Sequence, residues 1–207
     1  MKYDVVVVAA GKGIRAGLGY NKAFFVMENN KTVLENACKL FIEDEDCQKI
    51  VVVTSEEYIS KVFDNDKVIV TEGGALRKDS VYNGLKKVDS EYVLIHDAAR
   101  PNLNINALNK LKEVLAHKGN AILAHQAIDT VKVVEDGKIK ETLDRKNIYL
   151  AETPQGFKTS LIKYCYEHCD DVEFTDDASL LESLGYDVYI VNDEYDNKKY
   201  TNREDFE

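Results

Sequence analysis

Short β-branched apolar runs recur along the chain at 5–8, 50–53, 68–70, 92–95, 121–123 and 188–191, with segments of helical period between them. The runs are nearly continuous rather than alternating. Strands buried on both faces read this way, so the pattern predicts an α/β domain with a mostly parallel sheet. Helices are expected at about 78–88, 104–117, 159–168 and 176–184, after a first one that opens at Thr32. There Thr32 and Glu35 have the spacing of a capping box, and Leu34, Ala37, Cys38 and Phe41 share one face. One stretch breaks the rhythm. From Thr130 to Thr142 apolar and polar residues alternate on either side of Asp136-Gly137, a strong two-residue hairpin signal. The segment at about 129–146 has no core of its own and is expected to project as a β-arm. An ordinary surface hairpin and a dimerisation arm both fit it at this point. There is no internal repeat, low-complexity tract or Pro/Gly linker, so residues 1–207 are expected to form a single domain.

Composition narrows the class. With 44% hydrophobic and 31% charged residues, the chain can bury a core and still cover it with charge, which excludes disorder. The net charge of −10 disfavours non-specific binding to nucleic acid or to an anionic membrane surface. No apolar run approaches the roughly 20 residues of a membrane-spanning helix. The first residues, Met1-Lys2-Tyr3-Asp4-Val5, carry no signal-peptide pattern, so a cytoplasmic protein is expected. Cys38, Cys47, Cys165 and Cys169 make no CxxC pair. Cys165, His168 and Cys169 lie close together, but no second ligand pair follows, and they read as packing residues.

Two segments carry candidate chemistry. After the first strand comes Ala9-Ala10-Gly11-Lys12-Gly13-Ile14-Arg15-Ala16-Gly17. Glycines here let backbone N–H groups approach an anion, and Lys12, Arg15 and the later Lys22 add positive charge. Gly11, Gly13 and Ala16 match the dinucleotide fingerprint formally, yet Gly17-Leu18-Gly19 breaks the helix that fingerprint requires, and the next strand arrives only at Ile50. No Gly-Lys-Ser/Thr follows, so a Walker loop fails as well. What remains is an open, basic, Gly-rich loop suited to a triphosphate. The second segment is His96-Asp97-Ala98-Ala99-Arg100-Pro101. An acid at the carboxyl end of a buried strand sits where α/β proteins bind ligands, and Asp97 there suits Mg²⁺ held against phosphates. A helix-capping Asp beside a buried His fits the same residues. His96 reads as a satisfied core histidine.

Taken in order, these motifs carry a resemblance. Ala9-Ala10-Gly11-x-Gly13-x-Arg15, Lys22, Gly73-Gly74-x-x-Arg77-x-x-Ser80 and His96-Asp97-Ala98-Ala99-Arg100-Pro101 are followed by Asp129-Thr130-x-Lys132 and Arg145. Thr153-Pro154-Gln155-x-Phe157, Thr175-Asp176-Asp177-Ala178-Ser179 and Asn197-x-Lys199-x-Thr201 complete the set. Over nearly its whole length the sequence resembles the 2-C-methyl-D-erythritol 4-phosphate cytidylyltransferases of the non-mevalonate isoprenoid pathway. The resemblance implies a Rossmann-like nucleotidyltransferase domain with a projecting β-arm, active as a homodimer. It implies attack by a polyol phosphate oxygen on the α-phosphorus of CTP, with pyrophosphate leaving and Mg²⁺ or another divalent cation assisting. Arg15 and Lys22 would stabilise the transition state, and Ala10, Gly11 and Gly13 would line the nucleotide. Gly74, Arg77 and Ser80 would lie near cytosine and ribose, with Ala98 and Arg100 also at the substrates. Asp97, with Asp196, would hold the metal. Arg145 and Lys199 would position the sugar phosphate, with Thr130 and Thr153 beside them.

The chemistry needs no general base, because a phosphate oxygen is already an anionic nucleophile, and positioned cations meet the charge that develops at phosphorus. One departure is plain: Asn21-Lys22-Ala23 stands where the family usually has Pro-Lys-Gln. A ribitol-5-phosphate cytidylyltransferase of wall or capsule synthesis is the alternative within the same chemistry. A nicotinamide-dependent oxidoreductase is disfavoured by the missing second-strand spacing. A non-catalytic CTP-binding protein is disfavoured by the joint presence of Arg15, Lys22, Asp97, Arg145 and Lys199.

Overall fold

Each of the six apolar runs forms a strand. The computed structural model describes residues 1–11, 13, 16–169 and 173–206. In chain order it contains β1 (Tyr3–Val8), α1 (Val33–Glu43), β2 (Cys47–Thr54), α2 (Glu56–Ile59) and β3 (Val68–Glu72). Next come α3 (Arg77–Leu85), β4 (Tyr92–Asp97), α4 (Ile105–Lys118) and β5 (Asn120–Gln126). The arm strands β6 (Lys132–Glu135) and β7 (Lys138–Thr142) precede β8 (Tyr149–Lys158), α5 (Thr159–Glu167), α6 (Asp177–Ser183) and β9 (Tyr189–Asn192). The main sheet has seven strands in the order β3-β2-β1-β4-β8-β5-β9. Among the described residues only β8 runs antiparallel to its neighbours, β4 and β5, so the sheet is mostly parallel as expected.

Two hydrophobic layers explain why the strand runs do not alternate. Tyr3, Val5 and Val7 of β1 point into a layer filled by Leu34, Cys38 and Phe41 of α1 and by Leu108, Leu111 and Leu115 of α4. Val6 points the other way, into Val81 and Leu85 of α3, Ile162 and Cys165 of α5, and Leu180 and Leu181 of α6. With a side-chain period of two and both faces covered, both sets of positions are mostly apolar, and the buried Asp4 at the start of β1 is paired with the Asp89 and Ser90 N–H groups. Gly84 lets α3 lie flat on the sheet, since a Cβ there would sit 2.5 Å from a Val6 methyl. Cys165 and Cys169 are buried within this second layer, in keeping with their reading as packing residues.

Local sequence sets the element ends. The Thr32 hydroxyl accepts from the Glu35 N–H at 3.1 Å, and the Glu35 carboxylate accepts from the Thr32 N–H at 2.7 Å, closing the capping box that opens α1. In the arm, Asp136 and Gly137 take φ of 49° and 74°, the twist of a type I′ turn. All residues of β6 and β7 are exposed.

One strand escaped the sequence pattern. β8 lies between β4 and β5, yet it reads Glu152-Thr153-Pro154-Gln155 through its middle. The register of its pairing with β5 shifts between Ile122 and Ala124, opposite the proline, and a bulge is where a sheet tolerates Pro. The buried Gln155 is satisfied by Asp176 at 2.7 Å and by the Ala178 N–H at 3.0 Å.

Candidate active site

The carboxyl ends of β1 and β4 lie side by side, with Val8 paired to Asp97, and the chain turns there into its two chemical loops. Asp97 is the centre. Its carboxylate receives the Lys199 ammonium at 2.5 Å and the Arg77 guanidinium at 3.5 Å. Burial alone would raise its pKa, but these two cations outweigh it and hold the group down at about 2. The Asp97 carboxylate is therefore ionised throughout the physiological range.

A hydrogen-bond chain fixes the backbone behind it. The Asp97 N–H donates to the Thr153 hydroxyl at 3.0 Å, which donates to His96 Nδ1, also at 3.0 Å. His96 Nε2 in turn donates to the Arg100 carbonyl at 3.1 Å. Carbonyl oxygens only accept, so Nε2 carries a proton, and with Nδ1 accepting from Thr153 the ring is the Nε2–H tautomer when neutral. Burial pushes the imidazole down to about 4. His96 is a satisfied core histidine, as its sequence context suggested.

The flanking residues brace the Asp97 carboxylate and the turns around it. Arg77, at the start of α3, also bonds Asp177 at 2.8 Å. Ser80 is buried, and its hydroxyl accepts from the Gly74 N–H at 3.0 Å, so it shapes the 73–76 turn. The Ala98 N–H donates to the Val8 carbonyl at 3.1 Å, tying the two strand ends together next to the half-buried Ala10. Arg100 is 9% exposed and bonds the Asn197 carbonyl at 2.6 Å, with Glu152 3.5 Å away, so it anchors the C-terminal segment across the site.

In the glycine loop, Gly11 is exposed and Gly13 has φ +65°. Arg15 and Lys12 lie outside the described residues. Lys22 is placed: its ammonium donates to the Tyr200 carbonyl at 2.6 Å, while the Tyr200 N–H bonds the Ala99 carbonyl at 2.8 Å. Asn21, the residue before Lys22, is buried and clasped. Its amide donates to the Ala9 carbonyl at 2.5 Å and accepts from the Ala23 N–H at 3.0 Å, and its own N–H bonds the Tyr58 hydroxyl at 3.1 Å. These three hydrogen bonds fix the backbone that leads into Lys22.

At the C-terminus the two adjacent lysines point to different partners. Lys199 meets Asp97, whereas Lys198 turns away to Asp205 at 2.6 Å. Asp196 curls onto its own loop, accepting from the Lys198 N–H at 3.3 Å. Arg145 and Thr130 stay with the arm, exposed, and Arg145 donates to the Ile128 carbonyl at 2.5 Å. Arg145, Asp196 and Lys199 nonetheless line one cleft of about 940 Å³.

The donor set bears on the metal. Among the described residues no three His, Cys, Asp or Glu side chains converge on one point. A lone ionised carboxylate at a strand end fits a hard cation such as Mg²⁺, which binds through one or two carboxylates and takes its other oxygens from phosphates and water. Sequence reasoning assigned no role to Asp177 or Asn21. Asp177 lies in a quoted motif, and its signal was an acid in an otherwise apolar helix face.

The family model described as IspD, 2-C-methyl-D-erythritol 4-phosphate cytidylyltransferase, matches residues 3–207. Proteins of that name from Bacillus pumilus and Geobacillus thermodenitrificans are 36% and 38% identical, each over 99% of this chain and 94% of the relative. The crystal structure of the Francisella tularensis enzyme superposes with a TM-score of 0.86 at 32% identity, covering 100% of this chain and 97% of that one. That of Thermus thermophilus gives 0.83 at 28% identity, covering 100% and 96%.

Proposed function

This chain belongs to the 2-C-methyl-D-erythritol 4-phosphate cytidylyltransferase family, and from that premise we infer that it transfers CMP from CTP to 2-C-methyl-D-erythritol 4-phosphate, releasing pyrophosphate. The observation that carries this reading is a full-length match to the family together with an Asp97-centred cluster of cations at the sheet's carboxyl edge. The ribitol 5-phosphate alternative finds no support in the relatives described above, whose names specify methylerythritol.

In this reading residues 1–207 act as one nucleotidyltransferase domain with an inserted arm. The triphosphate lies along Gly11 and Gly13, next to Ala10. Arg15 and Lys22 meet charge that develops on the reacting phosphoryl group, and in-line attack by the substrate phosphate expels pyrophosphate. Arg77 and the 73–76 turn shaped by Ser80 and Gly74 lie on the nucleoside side. A divalent cation would be held by Asp97 and would neutralise charge on the triphosphate oxygens. Lys199 exchanges Asp97 for the sugar phosphate as substrates enter, and Thr153 keeps the Asp97 backbone in place. Asp196 contributes only if its loop turns toward the nucleotide.

Thr130 and Arg145 are carried by the arm, which has no core beneath it. Ile128 is 81% exposed, and Val134 and Ile139 are also exposed. A homodimer in which the arm delivers Thr130 and Arg145 to a second copy would bury this apolar surface. Among the described residues no helix is long and apolar enough to cross a membrane. A cytoplasmic location and small-molecule substrates, with no nucleic acid, complete the proposal.

The test is formation of the cytidylylated product from CTP and 2-C-methyl-D-erythritol 4-phosphate in the presence of Mg²⁺. Loss of turnover in excess chelator is expected, along with preference for CTP over UTP and ATP. Full activity in chelator contradicts the metal, and equal turnover with ATP contradicts the cytidylyl assignment.

A further inference from the structure

Asp177 is wholly buried, a costly place for a carboxylate unless it is paired. It is not needed to cap α6, because Asp176 already accepts the Ser179 N–H at 3.0 Å. Its two donors come from other elements. The Tyr166 hydroxyl of α5 reaches one oxygen at 2.6 Å, and Arg77 Nη2 of α3 reaches the other at 2.8 Å. That same Nη2 lies 3.5 Å from Asp97 Oδ1, and a third of the Arg77 side chain remains open to solvent. One guanidinium nitrogen is thus shared between two carboxylates, and it sits nearer the buried one. The result is an ordered line of alternating charge, Asp177, Arg77, Asp97 and Lys199, running across the sheet's carboxyl edge.

We infer that Asp177 is a positioning residue for the nucleotide site: its buried carboxylate fixes the Arg77 guanidinium toward the nucleotide and prevents its collapse onto Asp97. The inference rests on the functional reading above, in which Arg77 faces CTP. Asp97 carries two cations in this arrangement, and a second carboxylate behind Arg77 keeps the pair with Asp97 long. Without it, Arg77 has one carboxylate left and tightens onto the group that must also serve Lys199 and the metal. Tyr166 supplies the second hydrogen bond that keeps Asp177 from rotating with its partner.

A double-mutant cycle on CTP affinity, read by calorimetry on the full chain, tests this. Asp177→Asn keeps the shape and removes the charge. Asp177→Asn and Arg77→Ala are each expected to raise the CTP dissociation constant about 10- to 100-fold, the range for losing one charge-assisted hydrogen bond. The double variant should bind no more weakly than Arg77→Ala alone, because Asp177 acts only through Arg77. A merely structural Asp177 would lower the melting temperature and leave no such coupling. Wild-type affinity in Asp177→Asn, or losses that simply add in the double variant, would overturn the inference. Should Asp177→Asn not fold, Arg77→Lys, which cannot bridge both carboxylates with one planar group, must lose about 10-fold in CTP affinity. Unchanged affinity there overturns it equally. Wild-type protein that binds no CTP contradicts the functional reading, a separate result.

Discussion

At the scale of single residues, the cations divide by when the charge they meet appears. Arg15 and Lys22 are proposed to meet charge that develops during reaction, so alanine at either position should lower kcat by roughly 10²–10³. Lys199 is proposed to meet a phosphate that is charged before reaction. Lys199→Ala should therefore raise KM for the polyol phosphate and leave KM for CTP nearly unchanged, with some kcat loss from a misplaced nucleophile. Lys198 pairs with Asp205 rather than Asp97, although it borders the same cleft, and Lys198→Ala should retain full activity. Steady-state kinetics with each substrate varied in turn checks all three. Loss of activity in Lys198→Ala with none in Lys199→Ala would reverse the assignment.

His96 makes a second prediction at this scale. Its folded pKa lies near 4, below the ordinary histidine value of 6.5, so the unfolded chain takes up a proton between those values while the folded chain does not. Stability should fall as pH drops through this window, by roughly 3 kcal/mol in all. Asp97, held at about 2, adds little to the slope until pH falls below about 5. Denaturant titrations at pH 5 to 6.5 should show the slope in the wild type and a smaller one in His96→Gln, which can still serve Thr153 and the Arg100 carbonyl. An identical slope in both would remove His96 as its source.

At the scale of elements, the sequence revealed whatever depended on local pattern. Strands β1, β2 and β3, the capping box of α1 and the Asp136-Gly137 turn each follow from a few adjacent residues. β8 did not, because its buried middle is polar and is satisfied by residues about 20 positions away, as with Gln155 and Asp176. The site shows the same limit. Glycines and basic residues marked the loops, but the Asp177–Arg77–Asp97 line joins three helices and strands far apart in sequence, and nothing local announces it. The register of Lys198 against Lys199 likewise needed the fold, since both are lysines in an irregular segment.

The arm is the element proposed to act beyond one chain. A two-stranded hairpin is marginal alone in water, and β6 and β7 leave Val134 and Ile139 exposed. Ile139→Glu should therefore shift sedimentation from dimer to monomer and raise KM for the polyol phosphate, because Arg145 would no longer reach its partner. Folding should survive, as the main sheet makes no use of Ile139. A wild-type protein that sediments as a fully active monomer at micromolar concentration would contradict the arm's role.

At the scale of the whole molecule, the sheet works as a platform. Two apolar layers hold its strands, and every charged group in the account sits at or above one edge. The net charge of −10 disfavours polyanions such as nucleic acid, while the cations around Asp97 are proposed as the local exception that takes nucleotide and sugar phosphates. The central claim is that this edge joins CTP to 2-C-methyl-D-erythritol 4-phosphate. The most direct measurement is pyrophosphate release with CTP and Mg²⁺, run with either 2-C-methyl-D-erythritol 4-phosphate or ribitol 5-phosphate and followed by mass analysis of the product. The account predicts one pyrophosphate per cytidylylated methylerythritol and a kcat/KM far above that for ribitol 5-phosphate. Turnover with ribitol 5-phosphate and none with the methylerythritol substrate would contradict it.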